Sequence, residues 1–112
     1  MSNYFNFFNL INHNYSKNDF ISFFWKSRGH MLVTLLIADS KITNFEEINE
    51  KINYRIVSRS TIKLLLDEGV LQGYYTKLTD AKDKRKKNYK LTTDNLSKLS
   101  SISKNINNFK NT

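Results

Sequence analysis

The 112-residue chain contains no cysteine and no proline, and only three glycines. Without cysteine there are no disulfides, thiolate metal sites or thiol nucleophiles. Without proline or a Gly/Ser-rich stretch nothing marks a domain boundary, and the length suits one domain with one core. Three glycines are too few for a glycine-rich phosphate loop, and there is no nucleophile elbow. His13 and His30 stand apart, neither with a second ligand at metal-binding spacing. Glu46, Glu47 and Glu50 cluster where helix capping and solvent account for them. These absences argue against an enzyme and against any metal or cofactor. Long apolar runs are missing too. Residues 31–38 form the most apolar stretch, far short of a bilayer span. The N-terminus lacks the basic start and unbroken apolar run of a signal peptide. A soluble, cytoplasmic chain with no membrane association is expected.

What the chain has is positive charge. Eighteen Lys and Arg against ten Asp and Glu give +8 at pH 7 and a pI near 9.7. So strong a bias in a small domain favours a polyanionic partner. Hydrophobic residues at 39% and aromatics at 13% are enough for a folded core.

Residues 1–15 alternate Asn with Phe, Tyr and Leu, a segment expected to fray or to pack on a partner subunit. Residues 16–112 read as a single domain. Ser16-Lys17-Asn18-Asp19 looks like a helix start, followed by Phe20 with Phe24 and Ile21 with Trp25 on one face. Arg28-Gly29 is expected to end that helix. Residues 30–39 form a second, with Leu32, Leu35 and Leu36 inward. Thr43-Asn44-Phe45-Glu46 fits a capping box. The helix it opens carries Phe45, Ile48 and Ile52 on one face, with Asn53 as left-handed terminator. Ile56 and Val57 fill a short turn. Ser58 then caps a helix over 58–68 that stops at Gly69, with Ile62, Leu65 and Leu66 inward and Arg59, Ser60 and Lys63 outward. Extended runs follow at 70–78 and 86–91, holding Tyr74, Tyr75, Thr76 and Tyr89. Their charged connection makes a hairpin with a basic tip. A last helix, 93–110, places Leu96, Leu99, Ile102, Ile106 and Phe109 at steps of three and four. So narrow a stripe suits a helix–helix seam.

The expected fold is therefore mainly α with a small β-hairpin: a winged helix-turn-helix domain flanked by terminal helices. In such a motif the second helix enters the major groove of double-stranded DNA, where each base pair shows a distinct donor and acceptor pattern. Arg59 would fork onto a guanine, while Ser58, Ser60 and Thr61 would reach a base or a phosphate. Lys63 and Arg55 would lie near the backbone. Between Lys77 and Lys90 the sequence sets Lys77, Lys82, Lys84, Arg85, Lys86, Lys87 and Lys90 against Asp80 and Asp83, a net +5 of the total +8. A basic wing over 79–90 suits phosphates or a minor groove, with Lys82, Lys84, Arg85, Lys86 and Lys87 as the contacts. Phe20, Phe24, Leu96, Leu99, Ile102, Ile106 and Phe109 are the candidates for a dimer interface. Three other uses of these residues stand open. One is a protein-interaction module on the same scaffold, which should show an exposed apolar patch on the recognition helix. Another is non-specific architectural nucleic-acid binding. The third is single-strand stacking on Tyr74, Tyr75 and Tyr89.

Ser58-Arg59-Ser60-Thr61-Ile62, continuing through Leu66-Asp67-Glu68-Gly69-Val70-Leu71, resembles the recognition helix and strand entry of MarR-type winged-helix regulators. Asp80-Ala81-Lys82-Asp83-Lys84-Arg85-Lys86-Lys87, followed by Tyr89-Lys90-Leu91-Thr92, is similar to that family's wing, with its Asp-x-Arg-type tip and Leu-Thr strand end. The resemblance covers roughly residues 31–99. It implies a homodimer joined through terminal helices that binds pseudo-palindromic DNA as a transcription regulator. It also implies that Asp83 braces Arg85 while Arg85 enters the minor groove. The chain departs from the family in carrying Ile48-Asn49 where a Leu-Ala pair is usual. Its N-terminal helices are also reduced, so the family's small-molecule cleft, and with it an effector, is not expected.

Overall fold

Ser27 decides where the first two helices part. A computed structural model describes residues 19–110, so the segment 1–15 and the helix start read at Ser16 lie outside the described residues. Helix α1 (Asp19–Phe24) stops short, and the Ser27 hydroxyl accepts from the His30 amide at 3.2 Å to open α2 (Arg28–Ser40). Arg28-Gly29, expected to close a helix, begins one, because the serine satisfies an amide that the first turn leaves free. The buried face of α2 is His30, Val33, Thr34 and Ile37. Leu35, expected inside, is 41% exposed, and Leu32 and Leu36 are half-buried. Two polar residues take the interior positions because each finds a hydrogen-bond partner there, His30 on Glu68 and Thr34 on Tyr75.

Strand β1 (Thr43–Asn44) was not expected. It pairs antiparallel with the second hairpin strand, Thr43 opposite Tyr89 and Asn44 opposite Asn88, and turns the hairpin into a three-stranded sheet with that strand in the middle. Two residues are too few to show alternation. Helix α3 (Phe45–Lys51) is capped one residue later than the sequence suggests. The Asn44 carboxamide oxygen accepts from the Glu47 amide at 3.1 Å, and the Thr43 hydroxyl donates to the Glu47 carboxylate at 2.9 Å. Asn53 is not a left-handed terminator. The chain leaves α3 at Ile52 in an extended conformation, and the Asn53 side chain accepts from the Arg55 amide at 2.9 Å, turning the chain locally.

Ser58 caps α4 (Arg59–Leu71) as expected, accepting from the Thr61 amide at 3.2 Å. The helix does not stop at Gly69. Gly69 is buried inside it, where a Cβ would overlap the Tyr75 ring, so the glycine is there for a close approach. The turn out of the helix falls on Gly73, at φ +81°. Residues 70 and 71 are therefore helical, and β2 (Tyr75–Thr79) starts later than the extended run suggested. It pairs with β3 (Lys87–Leu91) from Tyr75 opposite Leu91 to Thr79 opposite Lys87. Helix α5 (Thr93–Lys110) closes the described chain.

One core joins these elements. Phe20, Val33, Ile37, Ile48, Ile62, Leu66 and Tyr89 are almost wholly buried, and each apolar side chain of that size contributes about 1.5–3 kcal/mol by leaving water. Phe23 packs its ring on His30, Tyr74 and Tyr75 at centroid distances of 4.8, 5.0 and 5.6 Å, which seats α1 on the sheet.

Candidate nucleic-acid interface

Capping by Ser58 fixes which residues of α4 meet solvent. Ser58, Arg59, Ser60, Thr61 and Lys63 are all exposed, while Ile62, Leu65 and Leu66 hold the helix to the core. Ser58 also donates its proton to the Thr61 hydroxyl at 2.8 Å. The Arg59 guanidinium forks onto Glu46 of α3 at 2.6 and 3.3 Å and lies 4.7 Å over the Phe45 ring. Their hydrogen bonds hold the Glu46 carboxyl below the usual carboxylate range and raise Arg59 further. Lys63 sits 3.4 Å from Asp67. It also faces the Tyr89 phenol, whose ionisation burial pushes up and the Lys63 charge opposes. Arg55 is exposed in the turn between α3 and α4, with its guanidinium 5.9 Å from the Tyr54 ring.

The wing tip owes its shape to two aspartates. Asp80 accepts from the Lys82 amide and Asp83 from the Arg85 amide, each at 3.0 Å, and backbone bonds close the loop from Asp80 to Lys86 and from Lys86 to Asp83. Asp83 thus braces Arg85 through its backbone. Lys87 turns inward, donating to the Thr79 hydroxyl at 2.9 Å and the Lys84 carbonyl at 3.3 Å. Lys86 lies 3.9 Å from Asp80. The side chains of Lys82, Lys84 and Arg85 are exposed and have no ion pair or hydrogen bond among the described residues. Lys63 of α4 lines one hollow with Arg85, Lys86 and Lys87 of the wing, together with Asn44, Phe45, Glu46 and Tyr89. Helix and wing therefore bring four cations to one hollow, with the Glu46 carboxylate on its wall.

No family model and no curated protein matches the chain by sequence. Solved structures match it in shape. The chain is similar to NadR in complex with 4-hydroxyphenylacetate, at 14% identity and TM-score 0.63 over 96% of this chain and 74% of that one. It is similar to a disulfide-formed AbfR, at 19% identity and TM-score 0.60 over 96% and 70%. It is similar to a mutant MarR from E. coli, at 19% identity and TM-score 0.59 over 86% and 70%. The chain shares the winged-helix fold of these structures.

The winged helix carries features that sequence patterning missed. Leu64 is 68% exposed and Leu71 84% exposed on α4. The spacing that turns Ile62, Leu65 and Leu66 inward leaves Leu64 on the outer face, whereas Leu71 falls in the run expected to be extended and is helical instead. The Glu46–Arg59 pair had no local signal at all. Of the proposed interface residues, Phe20, Phe24, Leu99 and Ile102 are already buried within the single chain, whereas Leu96 is 36% exposed. The side chains of Ile106 and Phe109 lie outside the described set. Tyr75 and Tyr89 are buried at 2% and 1%, so neither offers a stacking face, and Tyr74 packs against Phe20 and Phe23.

His30 proves to be partnered. Its Nε2 lies 2.9 Å from Glu68 and its Nδ1 2.6 Å from the Ser27 hydroxyl, while Lys26 reaches Glu68 at 2.8 Å. Lys26 first, and His30 after it, hold the Glu68 carboxyl low. Ser27 is committed to capping α2, and the cluster joins the start of α2 to the last turns of α4. Among the described residues no group of three His, Asp or Glu could hold a metal, and no helix is long and apolar enough to cross a membrane.

Proposed function

We propose that the chain binds double-stranded DNA as a dimeric, sequence-specific transcription regulator, with α4 in the major groove and the wing on phosphates or in the minor groove. The observation that carries this reading is the hollow that Lys63 of α4 lines with Arg85, Lys86 and Lys87 of the wing, four cations against the one Glu46 carboxylate, with Lys82 and Lys84 exposed and unpaired in the same wing. A groove-binding helix flanked by cations at phosphate reach is what duplex recognition requires. The MarR-type fold supports it by placing helix and wing as a winged helix does. At 14–19% identity the fold is all that the likeness carries, so the charge and the geometry bear the rest. The second copy would dock along α5, where Leu96 remains accessible.

Titration of the protein into a random-sequence duplex at several salt concentrations tests this. If about five cations neutralise phosphates, log K falls against log salt with a slope of about −4 to −5 per chain. Absence of binding at low salt overturns the reading. A second reading has one observation in its favour: Leu64 and Leu71 leave apolar surface on α4. A protein partner held through high salt, with no duplex binding, would establish the alternative.

A further inference from the structure

The cation that heads α4 meets solvent already engaged. Glu47, rather than Glu46, shares the cap of α3 with Asn44 and Thr43. Glu46 is left without a capping role, and its carboxylate reaches thirteen residues along the chain to Arg59. The guanidinium is fixed from two directions, both η nitrogens on the carboxylate and one face over the Phe45 ring. Both side chains are still well exposed, at 63% for Arg59 and 65% for Glu46, so this is a surface device and the core does not impose it. The fork uses one edge of a group that carries five N–H donors. The Nε edge stays open to the O6 and N7 acceptors of a guanine, the commonest specific contact of an arginine. A phosphate approaching the same guanidinium meets the Glu46 charge and must exchange one anion for another.

Resting on the duplex-binding reading above, we propose that Glu46 is a positioning residue for Arg59, holding the guanidinium off the DNA backbone and aimed at a base edge. Arg59 then adds to the reading of sequence and little to general affinity for DNA.

The test compares wild type, Glu46→Gln, Arg59→Ala and the double variant against a random-sequence duplex across a salt series. Glu46→Gln is expected to tighten random-duplex binding about two- to five-fold, the scale of an exposed ion pair. It should also steepen the salt slope by about one as Arg59 joins the phosphate contacts. In the Arg59→Ala background the Gln substitution is expected to change neither quantity. Glu46→Asp, which keeps the charge, should keep the wild-type slope. Among sites selected from a random pool, Glu46→Gln and Arg59→Ala should lose preference at the same base position. Equal tightening with and without Arg59 would show mere charge repulsion and overturn the proposal, as would no change at all. If wild type and variants all fail to bind duplex while melting normally, the duplex reading itself falls, and this inference with it.

Discussion

The hydroxyls of Thr34 and Tyr75 meet at 2.6 Å in the interior and tie α2 to β2. Thr34 is 0% and Tyr75 2% exposed. Burial drives the phenol's ionisation well above its ordinary value, against the opposing effect of the Thr34 bond, so the tyrosine stays neutral. Tyr75→Phe should cost about 1–3 kcal/mol, because it strands a buried hydroxyl, and Thr34→Val should do the same. The double variant should lose less than the two singles together. Urea titrations of all four proteins check this, and strict additivity would mean that the bond does not couple the two elements.

Gly69→Ala normally favours a helix interior by about 0.5–1 kcal/mol. Here the new Cβ would enter the Tyr75 ring, which cannot swing away while its hydroxyl is held by Thr34. The expected result is a loss of about 1–3 kcal/mol, read as a lower thermal midpoint. A higher midpoint would contradict the packing described.

Glu68 makes stability depend on acid. Lys26 and then His30 lower its carboxyl below the ordinary value of 4.5. A depressed folded-state value contributes stability that is fully present above the unfolded value and is lost as pH falls through the folded one. The stability gap between wild type and Glu68→Gln should be widest above pH 4.5 and should narrow in more acidic solution. Chemical denaturation across pH measures it, and a gap that widened in acid would reverse the sign.

Lys84 and Lys87 stand in the same wing but in different roles. Lys84→Ala removes an unengaged cation, so it should weaken every duplex alike and flatten the salt slope by about 0.9. Lys87 is turned onto Thr79 and the Lys84 carbonyl, so Lys87→Ala should flatten it less. Altered sequence preference in Lys84→Ala would overturn the division of labour between helix and wing.

For assembly, Leu96 is the informative position. Leu99 is 9% exposed within the single chain, so an aspartate there would report on folding. Under the dimer proposed above, Leu96→Asp should leave the fold intact and shift sedimentation from dimer to monomer. A variant that folds and still sediments as a dimer places the interface elsewhere.

Local chemistry determined a good deal of this protein from its sequence alone. The order of helices, the Ser58 cap, the inward Ile62, Leu65 and Leu66, and the basic wing all follow from periodicity, capping residues and charge runs. Such signals act over a few residues, so they can be read in order along the chain. What only the tertiary structure decided depends on partners far apart in sequence. His30 and Thr34 enter the core because Glu68 and Tyr75, 38 and 41 residues on, satisfy their polar atoms. Gly69 belongs inside a helix because the Tyr75 ring lies on it, and β1 is a strand because β3 runs beside it. Arg59 is held by Glu46 because two helices cross at a turn. Each of these is a choice among conformations that local preference leaves nearly equal. The energy that separates them is gained only when the chain has brought the two ends of the contact together.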